Sequence, residues 1–101
     1  MLELYQAEWC PHSRRVRVRL TELGVDFVAR QVEAERENRH ALRERTGLDS
    51  IPVLVTEDGE AIGDMKRILA WLDEHHPETA DTSRQRAQLR AHGLEPTRRP
   101  N

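Results

Sequence analysis

Short apolar runs that alternate with charged, helix-forming stretches and close on a hairpin mark this chain as α/β. The expected core is a four-stranded mixed sheet with helices on both faces. Three features carry that expectation. LELY at the start and VDFVARQV at 25–32 are strand-like and separated by one helical stretch, so they should be parallel with a right-handed crossover. IPVLVT and EAIG flank the turn EDG, which makes 51–63 an antiparallel hairpin. A last helical stretch then completes the order β-α-β-α-β-β-α, followed by a polar C-terminal tail.

Each element has a local cause. In residues 1–6, Leu2 and Leu4 alternate with Glu3, and Tyr5 favours extended backbone. Pro11 suits the first position of a helix, Val16, Leu20 and Leu23 recur at helical spacing, and Gly24 stops the pattern. Residues 33–46 consist mostly of strong helix formers ending at Gly47, with only Ala34, Ala41 and Leu42 apolar, so a helix with a thin buried stripe is expected. Asp64 is a good N-cap for a helix carrying Ile68, Leu69, Trp71 and Leu72 that ends near His76, before Pro77. After Pro77 the chain turns polar. An exposed helix over 82–92, ended by Gly93 and followed by a disordered tip, is expected there. The domain therefore spans 1–77 and the tail 78–101. The order of elements is the thioredoxin-like arrangement.

Composition bounds the function. The chain has 101 residues, enough for one domain with a modest core; 37% are apolar and 34% charged. A formal net charge of -2 gives no global field to attract nucleic acid or anionic lipid. No run approaches the roughly 18 apolar residues of a membrane span, and no signal-like segment opens the chain, so a cytoplasmic location is expected. The single cysteine, Cys10, excludes an internal disulfide.

Cys10 stands where the first strand hands over to the first helix. A thiolate there faces unpaired backbone N–H groups and the positive end of the helix dipole, which lowers a cysteine pKa. Arg14 and a protonated His12 add positive charge, while Glu8 opposes them. The alternative is a small, inert, buried hydrophobe. Pro52 opens a strand, which is ordinary at a sheet edge. In a thioredoxin-like fold it comes to lie beside the cysteine, and a cis Ile51–Pro52 bond would turn the polar groups of Ile51 outward to pair with a thiol-bearing peptide. In IGDMKRIL, Gly63 permits close backbone approach and the next helix N-terminus offers free N–H groups to a carboxylate. Asp64 reads either as a partner for an ammonium group or as a cap alone.

The stretches WCPHSRRVRVRLTELGVDF, RTGLDSIPVLV and DGEAIGDMKRILAWLDEHHP resemble the glutaredoxins and the N-terminal, thiol-binding domain of glutathione transferases, from Met1 to about Pro77. That resemblance implies a thioredoxin fold, a cis Pro52 and glutathione or a similar low-molecular-weight thiol as co-substrate, with no metal. Cys10 and Ser13 would be catalytic within an active-site motif of Trp9, Pro11, His12 and Arg14. The backbone of Ile51 would pair with the cysteinyl unit, and Gly63, Asp64 and the backbone of Met65 would hold the γ-glutamyl end. Arg39, on the second helix, would meet the glycyl carboxylate, or be one more solvated arginine.

The chain departs from the family pattern in several places. Ser13 replaces the second cysteine of many glutaredoxins, which makes this the one-cysteine kind. Ala7 replaces a common lysine, Asp49 a basic residue, and Met65 a serine. Residues 78–101 are not expected to form the large helical second domain of a transferase. The implied activity is monothiol deglutathionylation of mixed-disulfide proteins by a monomer or weak dimer, without nucleic-acid or membrane partners. Two alternatives stand beside it: a non-catalytic module that binds glutathione or carries an iron–sulfur cluster between two subunits, and an arsenate-reductase-like use of C-x-x-S-R. The arginines at 14, 15, 17 and 19 otherwise read as a solvated face.

Overall fold

The computed structural model describes residues 1–97. Strands β1 (Leu2–Gln6), β2 (Phe27–Gln31), β3 (Val53–Val55) and β4 (Ala61–Gly63) form one sheet in the order β2-β1-β3-β4. β1 and β2 run parallel, and the β3–β4 hairpin adds two antiparallel strands. Helices α1 (Pro11–Leu23), α2 (His40–Thr46), α3 (Met65–His75) and α4 (Thr82–Ala91) surround the sheet. The fold is thioredoxin-like.

Pleat periodicity sorts the two faces of the sheet. Leu2, Leu4, Leu54 and Ile62 join Val16, Leu20 and Leu23 of α1 and Ile68 and Leu72 of α3 in one core. Val53 and Val55 point the other way and are just as buried, and Leu42 of α2 is buried as well. The limits of α1 follow from local signals, with Pro11 at its first position and Gly24 left-handed at φ 67 after its last. The strands are shorter than their apolar runs: β2 begins at Phe27 and β3 covers only Val53–Val55.

Three expectations are corrected. The helix foreseen over 33–46 forms only from His40, after a 3-10 turn at Arg36–Asn38. The Arg39 guanidinium takes the carbonyls of Glu33 and Ala34, which a helix starting at 33 would have given to the N–H groups of Glu37 and Asn38. Arg19 does not belong to a solvated face. It is 3% exposed and donates to Glu22, Asp73 and Glu78 at 2.8, 2.8 and 2.9 Å. Nor is α4 simply exposed. Leu89 and Thr82 are buried, Arg86 pairs with Glu22 at 3.5 Å, and the Thr97 N–H donates to Glu22 at 2.6 Å. One buried carboxylate on α1 thus ties down the segment that follows α3. Of the tip expected to be disordered, the last residues, 98–101, lie outside the described residues.

Candidate active site

Strand register collects the candidate residues at one end of the sheet. Val53 sits opposite Tyr5 of β1 on one side and Gly63 of β4 on the other. The carboxyl ends of β1 and β4 and the amino end of β3 therefore coincide. From this end β1 leads through a four-residue turn to α1, and β4 leads through Asp64 to α3. Pro52 lies immediately before β3, and the Ile51–Pro52 peptide bond is cis. Two helix N-termini and the Ile51–Pro52 segment share one rim.

Cys10 is the N-cap of α1, with extended backbone (φ -84, ψ 117). Its Sγ accepts the Ser13 N–H at 3.4 Å, a bond that a side-chain oxygen makes in an ordinary cap. Its own N–H donates to the Ala7 carbonyl at 3.1 Å, and the Ala7 N–H donates to Ser13 Oγ at 3.5 Å. Ser13 is fully buried, and Cys10 is 7% exposed. Burial pushes the thiol pKa up. The Ser13 hydroxyl, the backbone N–H groups of Ser13 and His12 and the charge of Arg17 act against it, and the net result lies below the ordinary value. The thiolate of Cys10 therefore forms more readily than that of an ordinary cysteine.

The neighbouring motif residues divide. Trp9 is 61% exposed beside the thiol, His12 contributes through its backbone, and Pro11 opens the helix. Arg14 is exposed and lines a cleft with Arg15, Val18 and residues 93–97, so the charge that favours the thiolate is that of Arg17 and not of Arg14. Arg17 and Gln6 were missed by sequence reasoning. Arg17 Nη1 donates to Gln6 Oε1 and to the Ala7 carbonyl at 3.3 Å, and it pairs with Glu8 at 3.4 Å. The signal existed: seven residues, about two helical turns, separate Arg17 from Cys10 and put both on one face.

Asp64 has φ 71, a left-handed value uncommon for a non-glycine, and its side chain makes no capping bond. That corrects its reading as a side-chain N-cap. It borders a cleft of about 680 Å³ with Gly63, Asp49, Ser50, Leu48 and Arg67. Cys10, Ile51 and Pro52 do not line this cleft. Met65, the first residue of α3, is half-buried against the core.

Arg39 departs most from its expected role. It is 8% exposed, and its three nitrogens donate to the carbonyls of Glu33, Asp49 and Ala34 at 2.7, 2.8 and 2.9 Å. It clamps the loops around α2, and those bonds commit it there rather than to a ligand carboxylate. Arg39→Ala should cost about 1–3 kcal/mol in urea unfolding, as three carbonyls lose the charged donor that holds them together. Hydrogen exchange should speed up first in residues 33–50; unchanged exchange there would refute the clamp.

Fold and site together define a thioredoxin-like domain whose thiol caps a helix. A family model described as "Glutathione S-transferase, N-terminal domain" matches residues 4–80, and the chain belongs to that family. Among solved structures, it is 31% identical to a glutathione S-transferase from Methylobacillus flagellatus KT with GSH bound, with a TM-score of 0.65 over 76% of this chain and 38% of that one. It is 34% identical to a glutathione S-transferase from Rhodospirillum rubrum F11, with a TM-score of 0.66 over 77% of this chain and 35% of that one. The chain thus spans little more than a third of the length of these two structures. Glutaredoxin 2 from Salmonella typhimurium, in complex with glutathione, shares the fold at 14% identity, with a TM-score of 0.66 over 100% of this chain and 38% of that one. No curated protein matches the chain.

Proposed function

We propose that the chain binds glutathione and catalyses monothiol thiol–disulfide exchange through Cys10. The observation that carries this reading is the placement of Cys10 Sγ at the α1 cap, accepting the Ser13 N–H at 3.4 Å with the thiol favoured as thiolate. The thiolate attacks the glutathionyl sulfur of a mixed disulfide. That S–S bond breaks, the target leaves as a thiolate and takes a proton from water, and Cys10 holds the glutathionyl group. A second glutathione thiolate attacks the same glutathionyl sulfur, releasing oxidised glutathione and the Cys10 thiolate. Ser13 cannot resolve the intermediate, so turnover waits for glutathione.

The bound thiol lies along the shared rim. The Ile51 backbone pairs with the cysteinyl unit, and the Met65 N–H at the α3 start meets the γ-glutamyl carboxylate. The Asp64 carboxylate, which has no side-chain hydrogen bond or ion pair among the described residues, meets the ammonium group. Glutathione-bound relatives of the same fold support the choice of thiol. The test is incubation with oxidised glutathione, followed by intact-mass analysis and peptide mapping. The expected result is one glutathionyl group, on Cys10, released by reduced glutathione. A Cys10 that reacts readily with iodoacetamide yet never acquires or exchanges a glutathionyl group would refute the proposal.

A further inference from the structure

The turn that carries the thiol is braced from beneath by a residue the exchange reaction does not itself require. Arg17 is mostly buried, with 19% of its side chain exposed, and reaches back along α1 to the end of β1. Three partners fix it there: Gln6 Oε1, the Ala7 carbonyl and the Glu8 carboxylate. Gln6 is fully buried and donates in turn to Gln31 Oε1 of β2 at 3.3 Å. The Ala7 carbonyl that receives Arg17 also receives the Cys10 N–H. The Ala7 N–H meets the same Ser13 hydroxyl that faces the thiol. A displacement of Arg17 is therefore felt at Cys10 through one peptide unit.

We propose that Arg17 is the positioning residue of the thiol site, bracing the 7–10 turn through Gln6 and the Ala7 carbonyl, and that Glu8 attenuates its charge. The proposal rests on Cys10 being the reactive thiol of the preceding section. It goes further by assigning control of that thiol to a residue which touches no substrate. The charged side chains around the turn are Arg17, His12 and Arg14 of α1 and Glu8 of the turn itself. From β4–α3, Asp64 stands at the same end of the sheet. Of the cations, Arg17 is the one whose charge favours the Cys10 thiolate. Glu8, 69% exposed, keeps part of that charge engaged. Opposite changes at the two positions should therefore act in opposite directions.

The test is the pH profile of Cys10 alkylation by iodoacetamide in the full chain carrying Arg17→Gln, Arg17→Lys or Glu8→Gln, with thermal unfolding recorded for each. Arg17→Gln should shift the profile to higher pH. Arg17→Lys, which keeps a charge but cannot reach all three partners, should recover part of the shift. Glu8→Gln, at an exposed position that leaves the fold intact, should shift the profile to lower pH. Unmoved profiles in folded Arg17→Gln and Glu8→Gln proteins would overturn the proposal, and Glu8→Gln alone decides it if Arg17→Gln fails to fold. Alkylation needs no glutathione, so failure of the exchange reaction in wild type would register separately from failure here.

Discussion

Arg19→Leu should lower the unfolding free energy by about 3–5 kcal/mol, the range for removing one partner of a buried ion pair. The Glu22 side chain is fully buried, and Arg19 is its nearest cation at 2.8 Å. Arg86 lies farther off, at 3.5 Å. Arg19 also spans to Asp73 on α3 and to Glu78 beyond it, so one guanidinium joins α1 to the next helix and to the linker before α4. Burial pulls the Arg19 pKa down, but the hydrogen bonds it donates to Asp73, Glu78 and Glu22 outweigh it and hold the charge in place. Because the pair is shielded from water, moderate salt should recover little of the loss. Replacing both charges, as Arg19→Leu with Glu22→Leu, should give back much of the stability, since no unpaired carboxylate remains buried. Urea unfolding decides the matter: a single-mutant loss under about 1 kcal/mol is what an exposed pair yields and would refute a buried clamp.

The part of this architecture that reads directly from sequence is the part determined by near neighbours. Pro11 and Gly24 bound α1 because each acts on its own backbone, and the pairing of Ser13 with Cys10 spans a single helical turn. The hairpin is equally local, its strands held apart by the EDG turn. What was misjudged depends on side chains that cross the chain. Arg19 looks solvated on a helical wheel because the carboxylates that bury it lie 54 and 59 residues away. Arg39 reads as a ligand contact or as a solvated arginine because its reach to the Asp49 carbonyl, ten residues on, cannot be seen in a charged helical run. The other bonds of that guanidinium, to the Glu33 and Ala34 carbonyls, explain the late start of α2. Arg17 is the intermediate case. Its two-turn spacing from Cys10 was visible, but the buried Gln6 that fixes it becomes evident only once β1 lies beneath α1.

On the proposed exchange, Cys10→Ser should leave glutathionylated substrates reacting only at the uncatalysed background, while Ser13→Ala should leave a slower thiol whose profile lies at higher pH. The first follows because the chain has no other thiol to carry the glutathionyl group; the thioether sulfurs of Met1 and Met65 cannot form a disulfide. The second follows because the Ser13 hydroxyl is, after burial itself, the largest influence on the thiol and acts to lower its pKa. A hydrogen bond to a charged group is worth about 1.5–3 kcal/mol, so the alkylation rate at neutral pH should fall by about tenfold or more. The sign also reaches stability. The folded pKa lies below the unfolded one, so folding favours the thiolate. The resulting stabilisation is complete above the unfolded value of about 8.5 and fades as pH falls through the lowered folded value. The difference in unfolding free energy between wild type and Cys10→Ser should therefore grow as pH rises across that window. Parallel stability curves for the two proteins, together with alkylation that begins only near pH 8.5, would mean that the cap does not activate Cys10.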